Sequence, residues 1–197
     1  MRVITGEAKG RRLKGPPGPQ TRPMADKIKE AVFSALEALG VDAARVLDLY
    51  AGTGAVGIEA LSRGADWSDF VDAQAAACAV IKDNLAHTKL ASRAEVHNSP
   101  VEGFLGRRSK PYDLVFMDPP YADPEIFPTL ERLGTSALVD SGTVVVLGHS
   151  PQLDIPELVG AFTLLRRRCH GGSCFSIFEI AVAEPDDEPG AQRGADA

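Results

Sequence analysis

Hydrophobic and polar residues follow two patterns along the chain: short apolar runs, and longer segments with apolar residues at helical spacing. The short runs predict seven strands. Six of them are at 46–50, 94–98, 112–117, 142–147, 162–168 and 175–182, and the remaining one ends at residue 72. The segments between them predict helices at 56–63, 73–87, 101–105 and 124–133. Because strands and helices alternate, we expect an α/β fold with a doubly wound, mostly parallel, seven-stranded sheet.

Two further elements are predicted before this alternation. Apolar residues recur at helical spacing over 24–39 with charged residues between them, which predicts an amphipathic helix. Short segments at 3–5 and 11–13 flank a glycine-containing turn and predict the two strands of a small β-hairpin. We therefore expect three parts: a basic N-terminal β-hairpin extension with its linker (1–20), the α/β domain (21–183) and an acidic disordered tail (184–197).

The composition is typical of one globular unit. The chain has 197 residues, 44% of them hydrophobic and 24% charged. No apolar run approaches the ~20 residues of a membrane helix, and the first residues lack the apolar segment of a signal peptide, so we expect a cytoplasmic protein with no membrane partner. Three cysteines without Cys-x-x-Cys spacing and four scattered histidines predict no metal site and no disulfide framework, with Cys78, Cys169 and Cys174 as free thiols.

Charge is distributed unevenly along the chain. The formal net charge is -6, yet the first 29 residues carry eight basic and two acidic side chains. A basic arm on an acidic body can guide a polyanion to one face of a protein, and a merely solvated N-terminus is the alternative interpretation. The candidate nucleic-acid contacts in this arm are Arg2, Lys9, Arg11, Arg12 and Lys14.

Polar residues occur at or near the ends of four predicted strands. These residues are Asp48, Asp72, Asn98 and Asp118. In doubly wound sheets, ligands bind beyond the carboxyl ends of the strands, at the point where the strand order reverses. We therefore expect the chemistry of this protein at that edge.

A glycine loop follows the strand at 46–50. Its sequence contains the G-x-G-x-x-G spacing of nucleoside-cofactor sites, and Asp72 is placed to accept hydrogen bonds from ribose hydroxyls. In a dinucleotide enzyme the following helix must face a pyrophosphate, and Asp48 would lie unfavourably near that anion. A carboxylate there suits a cofactor with a cationic end, and S-adenosylmethionine has both an ammonium and a sulfonium group.

The turn Asp118-Pro119-Pro120-Tyr121 follows another strand. Its two prolines fix the backbone and remove two N–H donors, which leaves a cluster of acceptors with the Asp118 carboxylate. Such a cluster suits the exocyclic amino group of a base, and Tyr121 could stack on the base. A rigid turn with a surface tyrosine is the alternative for this tetrapeptide alone.

These motifs, in this order, resemble the class I S-adenosylmethionine-dependent amino methyltransferases, which have a Rossmann-like fold. More narrowly, the sequence is similar to the RsmD family in three segments, at 2–6, 21–33 and 47–65. Members of that family methylate the N2 amino group of a guanine in small-subunit (16S) ribosomal RNA. The resemblance implies the same reaction here, on rRNA that is either free or in a partly assembled 30S particle.

The resemblance also implies roles for individual residues. The methionine part of S-adenosylmethionine would be held by Asp48 and the loop residues Tyr50, Gly52 and Gly54. Asp72 would hold the ribose and Asn98 the adenine, and Arg22 with Pro23 would close the pocket. On the substrate side, the guanine amino group would meet Asp118 and the turn formed by Pro119, Pro120 and Tyr121.

Three positions depart from the family pattern. Asp72 stands where a glutamate is common, and Asn98 replaces an aspartate. The strand at 142–147 is followed by His149 and lacks the glutamate that members often carry there. His149 could substitute for that glutamate, but we interpret it as a surface histidine.

Other functions remain open at this point. N6-adenine or N4-cytosine methylation of nucleic acid uses a related turn, as does methylation of protein amides. A nucleotide-dependent oxidoreductase would also need a glycine loop, although Asp48 argues against it. A non-catalytic RNA-binding module that keeps a cofactor pocket is the third alternative.

Overall fold

A computed structural model of the chain describes residues 1–15, 26–120 and 123–180. Helices in this part are α1 (Asp26–Ala38), α2 (Ala55–Arg63), α3 (Ala75–Thr88), α4 (Val101–Leu105), α5 (Ile126–Gly134) and a 3-10 turn at Ala91–Arg93. Strands are β1 (Arg45–Leu49), β2 (Trp67–Asp72), β3 (Ala94–Asn98), β4 (Leu114–Met117), β5 (Val144–His149), β6 (Leu158–Val159), β7 (Phe162–His170) and β8 (Ser173–Ile180). The predicted linker beyond residue 15 and the predicted tail at 184–197 lie outside the described residues.

One sheet of eight strands forms the centre of the molecule, in the order β3-β2-β1-β4-β5-β8-β7-β6. The first five strands in this order are parallel, and β8, β7 and β6 are antiparallel to their neighbours. The predicted doubly wound, mostly parallel α/β fold is confirmed. The eighth strand, β6, has only two residues and is too short to give a hydrophobic pattern that sequence could reveal.

Helices cover both faces of the sheet. The N-terminal residues, α1, α2 and α3 contribute to one apolar cluster, and α4 and α5 contribute to another on the opposite face. Helix α2 packs very close to β2 at Gly57, where a Cβ atom would lie 2.4 Å from the ring of Phe70. Within the described residues, no helix is long and apolar enough to span a membrane.

The N-terminal arm, residues 1–15, folds back on itself and packs on α2. Its pairing is one antiparallel bridge between Arg2 and Arg12, shorter than the two predicted strands. The arm instead uses its backbone to contact α2, since the N–H groups of residues 4 and 5 donate to Glu59 and that of residue 8 donates to Ser62. Gly6 lies so close to α2 that a Cβ atom there would be 1.6 Å from the Ser62 carbonyl oxygen.

A buried ion pair joins the arm, α1 and α2. The side chains of Lys29 and Glu59 are fully buried, with 3.1 Å between Lys29 Nζ and Glu59 Oε2. Lys29 also donates to the Arg2 carbonyl oxygen at 2.7 Å, and Glu59 accepts from Arg63 Nε at 3.0 Å. Glu59 thus satisfies two side-chain cations and two backbone donors, so its loss would leave several buried polar groups unpaired.

Two of the three cysteines lie in the β7–β8 hairpin, and the third lies in α3. Cys169 and Cys174 are directly opposite each other in this antiparallel pair and form a disulfide. The prediction of free thiols at these positions is therefore wrong, because the register of the hairpin places the two side chains opposite each other on one face. Cys78 is free, as predicted, and it is buried.

We predict that Glu59→Leu lowers the free energy of unfolding by about 3–5 kcal/mol, because it leaves Lys29 buried without a counter-charge. Urea unfolding of the two proteins measures the difference. The matched control is Glu37→Gln, which removes the exposed partner of the same Arg63 and should cost less than about 1 kcal/mol. Equal losses in the two variants would show that the buried network contributes no more than a surface ion pair.

Candidate active site

Four predicted polar residues form a row along the carboxyl edge of the sheet. Asp72 and Asn98 are the last residues of β2 and β3, Asp48 precedes the last residue of β1, and Asp118 directly follows β4. These four strands are neighbours in the order β3-β2-β1-β4. The chain leaves β1 toward β2 on one side and later returns to β4 on the other, so the row lies at the point where the strand order reverses.

The glycine loop between β1 and α2 has three residues with left-handed backbone. Tyr50, Gly52 and Gly54 have φ angles of 57°, 54° and 72°. The Gly52 N–H donates to Asp72 Oδ2 at 2.8 Å, which ties the loop to the end of β2. The loop therefore presents backbone rather than side chains at the predicted cofactor position, where two glycines allow a ligand to approach closely.

Tyr50 contributes to this loop through its backbone. Its ring packs against the apolar cluster of α4 and α5, and its hydroxyl oxygen is buried. Burial raises the pKa of this phenol above its ordinary value. The sequence did not reveal that the ring turns away from the loop.

Asp48 is a buried carboxyl group beneath the first turn of α2. It is 3% exposed, and its Oδ2 accepts the Gly57 N–H at 3.0 Å. Burial raises the pKa of Asp48 to about 8, opposed by the Gly57 hydrogen bond and assisted by the negative charges of Asp118 and Asp72. A carboxyl group with such a raised pKa lacks a compensating positive charge.

Asp72 and Asn98 organise the next part of the edge. Besides the Gly52 bond, the Asp72 carboxylate accepts the Gln74 N–H at 2.8 Å. The Asn98 side-chain amide donates to the carbonyl oxygens of Asp72 and Ala73, at 3.1 and 3.0 Å. Asn98 thereby orients the backbone beside Asp72, and its side-chain oxygen remains an acceptor.

Asp118 is the second carboxyl group whose titration is shifted at this edge. Its Oδ1 atom is buried without a hydrogen-bond partner in the described residues, and burial raises the pKa of Asp118 to about 6. Pro119 is buried and Pro120 is exposed directly after it. An orphaned acceptor followed by two residues without N–H groups is suited to receive a donor from outside the protein.

Gly148 was not predicted as part of this site. It lies in β5 beside Asp118, and a Cβ atom there would be 2.2 Å from Asp118 Oδ1. Only glycine leaves room for the carboxyl group in its present position. The available signal was a glycine inside an otherwise apolar strand, which often marks a close approach of another group.

His149 follows Gly148 and is fully buried, so its interpretation as a surface histidine is wrong. Its Nδ1 is 2.8 Å from the Ser150 carbonyl oxygen and its Nε2 is 3.0 Å from the Ser176 hydroxyl oxygen. Strand β8 covers this position, and burial lowers the pKa of the imidazole. His149 therefore fixes the end of β5 against β8.

Several predicted contacts are tied to the protein itself or fall outside the described residues. In the N-terminal arm, Lys14 pairs with Asp83 at 2.9 Å and Arg11 donates to the His87 carbonyl oxygen. The other predicted contacts of the arm, Arg2, Lys9 and Arg12, are exposed. Three predicted residues, Arg22, Pro23 and Tyr121, lie outside the described part of the chain.

The sheet order, the glycine loop after β1 and the acidic row at the switch point together define a Rossmann-like class I methyltransferase. Comparison with known proteins identifies its family. The sequence profile described as "Conserved hypothetical protein 95" matches residues 1–179. The chain belongs to this family, which is the RsmD family, and the resemblance noted from its motifs is confirmed.

Named relatives support methyltransferase activity. YlbH of Bacillus subtilis (strain 168), named as a candidate rRNA methyltransferase, is 35% identical over 182 residues, 91% of this chain and 98% of that protein. Ribosomal RNA small subunit methyltransferase D of Escherichia coli (strain K12) is 30% identical over 179 residues, 91% and 89% of the two chains. The solved structure of yhhF, a candidate methyltransferase from Escherichia coli, has a TM-score of 0.80 at 30% identity and covers 91% of this chain and 97% of its own.

The residues of the edge fit the cofactor of this class, S-adenosylmethionine. Asp48, Asp72 and Asp118 lie near one another, and none of them forms a salt bridge with a cation in the described residues. A ligand that carries positive charge would relieve this excess of negative charge. The raised pKa of Asp48 and the orphaned Asp118 oxygen are the two features of the chain that indicate such a ligand.

We predict that Gly148→Ala reduces methyl-transfer turnover about 100-fold, because its Cβ must displace the Asp118 carboxyl group and a shift of about 1 Å can have that effect. Cofactor affinity should stay the same, since Gly148 lies beside β4 and away from the glycine loop. Gly142→Ala is the control, as a Cβ there would be 3.4 Å from its nearest neighbour. Unchanged turnover in Gly148→Ala, with normal thermal stability, would show that the position of Asp118 is not needed.

Proposed function

We propose that this protein uses S-adenosylmethionine to methylate the exocyclic N2 amino group of a guanine in small-subunit ribosomal RNA. The observation that carries this proposal is the buried, unpartnered carboxyl oxygen of Asp118, followed by two prolines at the switch point of the sheet. The named relatives, among them ribosomal RNA small subunit methyltransferase D, support rRNA as the substrate.

The cofactor would occupy the edge between β4 and β3. Asp48 and the backbone of the loop around Gly52 and Gly54 would hold its methionine part, Asp72 its ribose and Asn98 its adenine. When bound, S-adenosylmethionine supplies an electrophilic methyl group on a sulfonium.

The target amino group would be held by acceptors alone. Its two N–H bonds would donate to the Asp118 carboxylate and the Pro119 carbonyl oxygen, which turns the nitrogen lone pair toward the methyl donor. This nitrogen is a weak nucleophile because its lone pair is delocalised into the ring, so positioning contributes more than a strong base. The nitrogen loses one proton as it gains a methyl group, and the Asp118 carboxylate would accept that proton.

The base must leave any stack to reach this edge. Enzymes that modify a base act on unpaired nucleotides or extrude the target from its helix. Acceptors at Asp118 and Pro119 would suit any exocyclic amine, including adenine N6 and cytosine N4. Guanine is favoured by the similarity of the segments at 2–6, 21–33 and 47–65 to the RsmD family and by the names of the relatives.

We predict that the purified protein transfers labelled methyl from S-adenosylmethionine to small-subunit rRNA from cells that lack it. Free rRNA and partly assembled 30S particles are tested side by side, and nucleoside analysis should find N2-methylguanosine.

Asp118→Asn should lower turnover about 100-fold or more with cofactor affinity retained. When the cofactor is saturating, kcat/KM for the RNA should rise with pH up to about 6 and then stay constant, because the Asp118 carboxylate forms in that range.

Each outcome of this experiment has a different meaning. Label in N6-methyladenosine or N4-methylcytosine would replace guanine as the target while keeping the site. Equal losses of turnover and cofactor affinity in Asp118→Asn would withdraw the role of Asp118 at the substrate. Binding of the cofactor and the RNA without transfer to either form of the substrate would favour the non-catalytic module.

We predict that affinity for S-adenosylmethionine increases with pH up to about 8. The Asp48 carboxyl group is mainly protonated below that pH in the free protein, and a cationic ligand favours its charged form. Binding must then release a proton, so affinity should rise by up to about tenfold per pH unit below pH 8. Calorimetric titration measures this affinity from about pH 6.5 to about pH 8.5, a range that spans the pKa. The wild type should show this slope, and Asp48→Asn should show none. A flat profile in the wild type would contradict the assignment.

A further inference from the structure

The turn of the β7–β8 hairpin lies at the same edge of the sheet as Asp118. Cys174 at the start of β8 is opposite His149, the last residue of β5, so the turn between β7 and β8 lies past the end of that strand. The order β4-β5-β8-β7 separates β7 from β4 by three strand spacings, about 14 Å at ~4.8 Å each. The hairpin tip is therefore a few nucleotides away from a base held at Asp118.

This hairpin carries a run of basic residues in a segment without acidic residues. Arg166, Arg167, Arg168 and His170 lie within five positions, and no Asp or Glu occurs from 158 to 178. The run contrasts with a chain whose formal net charge is -6. A local positive surface on an acidic protein attracts a polyanion to one place.

Two of these arginines are free to bind a ligand. Arg167 donates to the carbonyl oxygens of Pro151 and Leu153, both at 3.1 Å. Arg166 and Arg168 form no hydrogen bond through their side chains and no ion pair within the described residues, and Arg168 is exposed whereas Arg166 is half-buried.

Both free arginines lie on one face of the hairpin. They are opposite Ile177 and Phe175, whose side chains belong to the apolar cluster of the N-terminal arm and α1 to α3. Residues directly opposite in an antiparallel pair share a face, so the two guanidinium groups project on the side of the arm. The Cys169–Cys174 disulfide and the left-handed Gly171 (φ 60°) fix the turn beside them.

We infer that Arg166 and Arg168 bind phosphates of the RNA that flank the target nucleotide. The inference rests on the proposed function for the identity of the polyanion. Arginine suits this role because its guanidinium group offers two parallel donors to a phosphate. The N-terminal arm would contact the RNA from the same face, and the hairpin would hold it beyond β5.

The test compares two double variants that each remove two positive charges. Arg166→Gln/Arg168→Gln alters the hairpin. The control, Arg108→Gln/Lys110→Gln, alters exposed residues between α4 and β4, which lie at the opposite edge of the sheet because they precede a parallel strand. Affinity for deproteinised small-subunit rRNA is measured across salt concentrations, and affinity for S-adenosylmethionine is measured in parallel to confirm that each variant is folded.

We expect the hairpin variant to bind RNA roughly tenfold more weakly at low salt. Its slope of log affinity against log salt should fall by about 1.4 to 1.8, the value for two lost phosphate contacts. The control variant should change the slope by much less, and cofactor affinity should not change in either protein. An unchanged slope in the hairpin variant, or equal changes in the two variants, would overturn the inference.

These results are independent of the target base. If the wild type binds rRNA and modifies a base other than guanine, the proposed function fails while the hairpin contact is still decided by the salt slopes. If transfer to guanine N2 proceeds and the hairpin variant matches the wild type in RNA affinity and in KM for RNA, the inference fails while the proposed function holds.

Discussion

The close packing of α2 on β2 is the constraint on which the site depends. Gly57 allows this contact, because any side chain there would overlap the ring of Phe70. Its N–H group donates to Asp48 and so holds the carboxyl group beneath the helix. The loop that connects β1 to this helix has left-handed residues at Tyr50, Gly52 and Gly54. A helix lying farther from the sheet would leave Asp48 in water and the loop without its backbone surface.

Burial acts on the two carboxyl groups of this edge to different extents. It raises the pKa of Asp48 to about 8 and that of Asp118 to about 6. At neutral pH Asp118 is therefore mainly a charged acceptor, whereas Asp48 becomes charged when a cation is present. Different environments of this kind separate the roles of neighbouring carboxyl groups. In the proposed function, this edge would hold a cationic cofactor and an amine without two permanent charges facing each other.

Much of this arrangement could be predicted from the sequence, because the pattern of each strand and the polar residue at or near its end are local features. The row Asp48, Asp72, Asn98 and Asp118 was predicted because parallel strands bring their carboxyl ends to one edge. The methyltransferase class needed both the glycine loop and the turn at Asp118. Helix α4 has the predicted bounds, 101–105, since Pro100 precedes it and Gly106 follows it.

The features that sequence missed depend on pairs of residues far apart in the chain. Gly148 has meaning only beside Asp118, and Glu59 matters because it lies against Lys29 and the arm. His149 was predicted on the surface since nothing local indicates that Ser176 of β8 would cover it. The disulfide required knowledge of the register of β7 and β8, because Cys169 and Cys174 are paired only when residues 171 and 172 form the turn.

The distribution of free positive charge follows from the same tertiary contacts. The N-terminal segment has the higher basic content, yet Lys29 is buried on Glu59, and Lys14 pairs with Asp83. Arg166 and Arg168, near the turn of the β7–β8 hairpin, have no acidic neighbour in their own strand or turn. A count of charges along the sequence therefore overstates the positive charge that the N-terminal segment offers to a polyanion. The same count understates the positive charge that the β7–β8 hairpin offers. For an acidic protein, the cations left without a partner determine where a polyanion can bind.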